Sequence, residues 1–255
     1  QGMPSASDVV DLVHGRTGGI RWQSAAASDP GSVRPHNEDA CLDRPDLGLW
    51  AVADGLGGLA AGDVASRMTV DRLAGLQPQQ NAQAFLGEIV RALGDADAAL
   101  RAAAAGGRAM ATTVVVLLAF GRHFASLWAG DSRLYRLRRG RMEQLSRDHS
   151  EVQALVEAGL LAPAEAAAHP RANVVTRALG AGDDLVLDVI QGEVEPGDRF
   201  LLCSDGLTKP LDAETILELA SGPPVREAVD RLLAAALAAG APDNVTLVLA
   251  EAAPA

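Results

Sequence analysis

The chain has 255 residues, 48% of them hydrophobic and 22% charged, with a formal net charge of -11. This is the composition of a globular protein rather than a disordered one. The acid excess argues against nucleic acid or an anionic membrane as a main partner, since either needs a basic footprint. Aromatics are only 3%, so alanine, leucine and valine must build the core. The longest apolar run, 114–120, falls far short of the ~20 residues of a membrane-crossing helix. Cys41 and Cys203 form no metal-type cluster and read as small buried hydrophobes. No signal-peptide pattern is present, and the expected compartment is the cytoplasm. Gln1-Gly2 before Met3 has the form of a tag remnant, so 1–19 is set apart as tag remnant and N-terminal lead, and 20–255 as a single domain.

In chain order, 20–28 reads as a first strand closing on the turn signal Asp29-Pro30-Gly31. The polar segment 32–39 follows, with Arg34 ahead of the adjacent acids Glu38 and Asp39 in a polar turn. The run 47–53 is the second strand and ends abruptly in Asp54-Gly55. Residues 63–73 and 82–105 carry helical spacing, the second with Phe85, Ile89, Leu93 and Leu100 along one side. Two apolar runs around Gly121-Arg122, 112–120 and 123–129, make a hairpin, and the second closes on Gly130-Asp131. Another hairpin spans 134–137 and 142–145. Residues 148–159 read as a short helix, 160–180 as irregular, and 185–190 as a strand. The strand 199–203 delivers Asp205-Gly206 much as 47–53 delivers Asp54-Gly55. An amphipathic helix covers 221–240, and Asp243-Asn244 leads into the last strand, 245–249. Hairpins and acid-ended strands without regular strand–helix alternation point to one α+β domain.

Asp54, Asp131, Asp205 and Asp243 therefore all stand at strand ends. A buried strand holds an acid in fixed geometry, and an acid there costs desolvation energy unless something compensates. His14, His36, His123, His149 and His169 are scattered, so no His or Cys stands at ligand spacing. An all-oxygen set selects Mg2+ or Mn2+ over zinc or copper. Gly55, lacking a Cβ, lets its own carbonyl approach an ion closely. Several carboxylates together need cations to offset their repulsion, and two bridged ions are a common solution in phosphate-ester hydrolysis. Arg34 would add a planar fork suited to a phosphate dianion. Each Asp-Gly pair alone is a common turn. The weight lies in the set and in its repetition at 205–206.

Arg34-Pro35-His36-Asn37-Glu38-Asp39, Val52-Ala53-Asp54-Gly55-Leu56-Gly57-Gly58, Gly130-Asp131-Ser132-Arg133, Cys203-Ser204-Asp205-Gly206-Leu207 and Asp243-Asn244 resemble the ordered motifs of one family. It is the PP2C-type (PPM) metal-dependent Ser/Thr protein phosphatases, bacterial branch. Asp148-His149-Ser150 and Thr176-Arg177-Ala178-Leu179-Gly180 join the resemblance, which runs in order from about residue 20 to residue 249. It implies a four-layer αββα sandwich, two antiparallel β-sheets flanked by helices, with metals in a cleft at one end. It implies two core Mn2+ or Mg2+ ions, Asp54 bridging both, the Gly55 carbonyl on one, and Asp205 and Asp243 holding one of the pair. Glu38 and Asp39 would act through metal-bound water or one layer out from the ions. Asp131, with Asp205, would take a third and more labile ion. Arg34 would hold the substrate phosphate, and 148–180 would form a flap that influences access.

The implied activity is hydrolysis of phosphoserine and phosphothreonine in proteins by a metal-activated water, opposing a cognate Ser/Thr kinase. Two positions depart from the pattern. Leu56 stands where many eukaryotic members carry a His proposed as leaving-group acid and bacterial relatives usually carry Met. Leu59 stands where bacterial relatives often have His. Trp50, Arg21-Trp22 and the short C-terminus are similar to phosphatases encoded with bacterial type VI secretion clusters.

Two other readings compete. Gly55-Leu56-Gly57-Gly58-Leu59-Ala60 satisfies a dinucleotide-binding glycine pattern, but Asp54 would face the pyrophosphate with like charge, and the copy at Asp205-Gly206 would be unexplained. A non-catalytic regulatory or binding domain of the same fold would be expected to have lost the acids that remain here.

Overall fold

A computed structural model describes residues 16–17, 19–56, 61–105, 110–182 and 184–254. Most of the N-terminal lead, with its tag remnant, lies outside them, as do residues 57–60 of the glycine pattern. The described strands are β1 (Arg16–Thr17), β2 (Ile20–Asp29), β3 (Asp39–Arg44), β4 (Leu49–Asp54), β5 (Val114–Phe120), β6 (His123–Ala129), β7 (Arg133–Arg138), β8 (Arg141–Gln144), β9 (Asp188–Glu193), β10 (Arg199–Cys203) and β11 (Val245–Pro254). The α-helices are α1 (Gly62–Ala74), α2 (Ala82–Ala105), α3 (Glu151–Glu157), α4 (Asp205–Thr208), α5 (Ala213–Ser221) and α6 (Val225–Ala238), and a 3-10 helix spans Pro163–Ala168 in the stretch expected to be irregular. One sheet runs β1-β2-β11-β10-β7-β8 and the other β3-β4-β5-β6-β9. Every pairing between these strands is antiparallel.

The four layers follow from the two-residue period of a strand, which sends alternate side chains to opposite faces. In β4, Trp50 and Val52 enter the core between the sheets, while Leu49, Ala51 and Ala53 pack under α1 and α2. In β10, Phe200 and Leu202 face the same inter-sheet core, while Leu201 and Cys203 pack under α5 and α6. Leu247 and Leu249 alternate with Val248 and Ala250 in the same way. Both faces of these strands are buried, which is why they read as unbroken apolar runs. With few aromatics available, four of them are spent in one place. Trp22 lies 4.9 Å from Trp50 and 6.0 Å from Phe200, and Phe200 lies 5.1 Å from Phe124. The structure is the αββα sandwich, two antiparallel sheets flanked by helices.

The structure differs from the sequence expectations at the edges. Asp39 is not in a turn but opens β3, an edge strand that buries only Asp39 and Leu42. One-sided burial leaves a mixed polar pattern with no run to detect. Helix α5 lies where no element is expected, capped by the Asp212 carboxylate, which accepts a hydrogen bond from Thr215 N–H at 2.8 Å. Strand β9 begins three residues later than expected, and β11 continues to Pro254, paired with β2 along its full length.

Candidate metal centre

The acidic residues converge at one end of the sandwich because each sheet sends its inter-sheet face there. Trp50, Val52 and Asp54 share a face of β4, so the strand that fills the core with Trp50 ends by pointing a carboxylate out of the same face. Asp39 is the antiparallel partner of Asp54 across β3–β4, so both carboxylates stand on one side of the sheet. On the other sheet, Ser204 continues the face of Phe200 and Leu202 and donates its hydroxyl to Asp39 Oδ2 at 2.8 Å. That bond joins the two sheets at the acidic end. Asp205 then opens α4.

Close backbone approach explains both Asp-Gly pairs. A Cβ on Gly55 would meet the Gly62 carbonyl at 2.3 Å and the Glu38 carbonyl at 2.6 Å. A Cβ on Gly206 would meet the Asn244 carbonyl at 1.8 Å. Glycine is required in each case for the neighbouring chain to reach the acid. Asn244 fastens the remaining loop. Its side chain accepts from Glu38 N–H at 2.8 Å and donates to the carbonyls of Pro30 and His36, each at 2.9 Å. The loop that carries Asp131 is tied in through its neighbour Ser132: Thr113 Oγ1 accepts from Asp54 N–H at 3.2 Å and lies 2.7 Å from Ser132 Oγ.

These elements enclose a cleft of about 170 Å3 lined by Arg34, Glu38, Asp54, Gly55, Leu56, Asp131, Asn173, Val175, Asp205, Lys209 and Asp243. All the expected site residues line it except Asp39, which lies behind Asp54 and is only 8% exposed. The electrostatics are those of crowded like charges. Loss of solvent, then repulsion from Asp39, Asp205, Asp131 and Asp243, holds the Asp54 carboxyl well above its ordinary range. Burial pushes Asp39 up to about 6, and burial with Asp205 nearby pushes Asp131 up to about 7. Burial likewise raises Asp205 against the pull of Lys209, and raises Glu38 against the pull of Arg34. Asp243 goes the other way: burial is outweighed by the Arg34 and Lys209 cations, which hold it low.

Both cations are engaged with acids. The Arg34 fork takes Asp243 at 2.9 and 3.1 Å. The Lys209 ammonium lies 2.6 Å from Asp205 Oδ2 and 3.3 Å from Asp243 Oδ2. As the side chains stand, no three His, Cys, Asp or Glu groups among the described residues are arranged as a ligand set. The donor chemistry nevertheless fits a hard cation. Asp39 Oδ1 and Asp205 Oδ1 are enclosed without a hydrogen-bond partner, and such orphaned oxygens are costly unless a cation or water takes them.

The excursion 148–180 leaves and re-enters beside the cleft, with Asn173 and Val175 on its wall. Its ends are stitched together by Thr176 N–H to the His149 carbonyl at 2.8 Å and Glu151 N–H to the Val174 carbonyl at 3.0 Å. His149 Nδ1 accepts from Gly130 N–H at 3.1 Å, and Nε2 lies 3.2 Å from Asp188 Oδ2. Sequence reasoning assigned no site role to Lys209, Asn173, Val175, Thr113 or Ser204. Asn173 and Val175 fall within the expected flap, Ser204 within a motif of the resemblance, and Lys209 stood out as the sole lysine of the chain, whereas Thr113 carried no signal.

The family model described as protein phosphatase 2C matches residues 33–250. The chain belongs to the protein phosphatase 2C family. Within that family it is 42% identical over 230 residues to serine/threonine protein phosphatase PstP of Mycobacterium tuberculosis, covering 89% of this chain and 44% of the relative. The chain thus spans less than half the length of that relative. Among solved structures it is similar to PppA, a key regulatory component of the type VI secretion system in Pseudomonas aeruginosa. There the TM-score is 0.84 and the identity 43%, covering 91% of this chain and 97% of that one. It is also similar to the catalytic domain of PstP in complex with two manganese ions, with a TM-score of 0.81 and 39% identity over 92% of this chain and 99% of that one. The antiparallel sheets and this family membership leave no place for the dinucleotide-binding reading.

Proposed function

We propose that this chain is a metal-dependent protein serine/threonine phosphatase, hydrolysing phosphoserine and phosphothreonine by direct attack of water on phosphorus. The observation that carries the reading is the convergence of acids from both sheets on one cleft, with an unpaired enclosed oxygen on Asp205 in its wall and another on Asp39 behind it. Mn2+ or Mg2+, two core ions and a third, is the cofactor proposed, in keeping with the manganese-bound PstP domain. When bound, such ions acidify water and offset charge on phosphoryl oxygens.

Asp54, the Gly55 carbonyl, Asp205 and Asp243 would hold the core ions, and Asp131 with Asp205 the third. Glu38 and Asp39 would act one layer out, Asp39 by holding Ser204 and backing Asp54. Arg34 carries the planar fork suited to a phosphate dianion and stands at the cleft wall, where it would turn from Asp243 to the substrate. Leu56 also lines the cleft and supplies no proton to the leaving alkoxide. Asn173 and Val175 support a role for 148–180 as a flap over the substrate. The partners are phosphorylated proteins and a cognate Ser/Thr kinase. Likeness to PppA supports a place beside type VI secretion. No described helix is long and apolar enough to cross a membrane, and a cytoplasmic location belongs to the same proposal.

The test is phosphate release from a phosphothreonine peptide with Mn2+, using EDTA as control. Release that requires the metal is expected. A folded protein that releases none in saturating Mn2+ would favour the non-catalytic binding domain instead.

A further inference from the structure

We infer that Lys209 is a tethered counter-ion of the acidic cleft, displaced from Asp205 and Asp243 when a divalent cation takes those carboxylates. The inference rests on the metal-dependent reading above and adds a chain-specific competitor to it. Lys209 is the only lysine among 255 residues. It closes the short α4 that Asp205 opens, so the two are four residues apart on one side of the turn. Its ammonium bridges Asp205 Oδ2 at 2.6 Å and Asp243 Oδ2 at 3.3 Å. Asp205 Oδ1 stays enclosed and unpartnered, so one ammonium does not satisfy that carboxylate.

The two cations of the cleft differ in how they can yield. Arg34 grips Asp243 through two nitrogens of a rigid fork. An ammonium is a point charge on a flexible four-carbon stem and can swing aside without disturbing the backbone that carries it. The Lys209 side chain is 31% exposed, so a path into solvent is open to it. While it bridges the pair, the carboxylates are ion-competent only in the fraction of molecules where the ammonium has moved. The apparent affinity for the ion is reduced by that fraction. Lys209 thus raises the concentration of divalent ion at which the site loads, on top of the hold that Arg34 keeps on Asp243.

A single lysine makes the displacement directly measurable. A water-soluble acylating ester marks only Lys209 and the α-amino group of this chain, and mass spectrometry separates the two. Acylation of Lys209 is expected to be slow in EDTA and several-fold faster with MnCl2, while the α-amino group changes little. In titration calorimetry, Lys209→Met should bind Mn2+ about tenfold more tightly than the parent, a difference of about 1.4 kcal/mol. If calorimetry shows Mn2+ binding to the parent but Lys209 acylates at the same rate or more slowly with it, the counter-ion role is wrong and the metal-dependent reading stands. If Lys209→Met binds Mn2+ no more tightly, the role is equally overturned. If the parent binds no Mn2+ at all, the metal-dependent reading falls and takes this inference with it.

Discussion

Strand β10 has a carboxylate just outside each end, and the two ends treat their acids in opposite ways. At its start, Asp198 is 1% exposed, and both its oxygens are taken. Arg138 holds them at 2.7 and 2.6 Å, and Glu195 N–H donates to Oδ2 at 2.8 Å. Past its other end, Ser204 reaches Asp39, which is 8% exposed, and Asp39 Oδ1 has no partner. Around Asp39 stand Asp54 and Asp205, with more negative charge rather than an arginine fork. A buried acid whose oxygens are all satisfied is part of the frame. Buried acids that repel one another lower the stability of the frame, and they fit a site awaiting cations.

Removing one charge from each end should therefore have opposite consequences. The largest expected effect is on turnover. Asp54→Asn should lower kcat/KM for p-nitrophenyl phosphate on the order of 10³-fold, the upper range for loss of one charge-stabilising group. The same substitution should raise the melting temperature in EDTA, because it removes a repelled carboxylate. The sign with pH follows from the raised carboxyl of Asp54. The folded parent binds that proton more tightly than the unfolded chain does, so this group's contribution to stability is present at low pH. It is lost as pH rises from the ordinary carboxylate range through the raised value. The gap between variant and parent in EDTA should widen as pH rises. A variant that keeps its activity, or melts lower than the parent in EDTA at neutral pH, would erase the contrast between the two ends.

At the other end the expected effect is on stability alone. Asp198→Ala strips Arg138 of its fork partner and should cost about 3 kcal/mol, the low end for breaking a buried pair, because Arg138 is partly exposed. Urea unfolding measures it. Activity per folded molecule should be unchanged, since Asp198 lies at the far end of β10 from the cleft. Loss of activity without loss of stability would mean that the two ends communicate.

The same contrast explains what could be read before the structure. Strands β4, β5, β6 and β10 were legible because both faces are buried and the runs are unbroken. The acids closing three of them were legible because a carboxylate after such a run has no local excuse. Strand β3 was not, because an edge strand needs only one apolar face, and Asp39 looked like part of the polar segment before it. Gly55 and Gly206 were visible, but their reason was not: each makes room for backbone that no local pattern names, Gly62 and Glu38 in one case and the distant Asn244 in the other. Lys209 was visible only as a count of one. Its bridge depends on Asp243, 34 residues further on, which no local pattern encodes.

A smaller effect would sharpen the comparison, because His149 is a buried polar group with satisfied partners that nevertheless sits on the acidic side. It is 8% exposed and stacks on Trp128 at 6.2 Å. Because Nδ1 accepts from Gly130 N–H, the neutral ring carries its proton on Nε2, facing Asp188. Arg177 also reaches Asp188, at 2.8 Å, so the two ends of the 148–180 excursion meet on one carboxylate of β9. His149→Ala should cost about 2 kcal/mol in urea unfolding, mainly from leaving the Gly130 amide without an acceptor. Two further variants divide the contact. An Asn oxygen falls near the place of Nδ1, whereas a Gln amide falls nearer Nε2. If the Gly130 amide dominates, His149→Asn should recover most of the loss and His149→Gln little. The reverse order would move the weight to the Asp188–Arg177 side. His149 would then count with Asp198 as part of the frame, rather than as the support of the loop that carries Asp131.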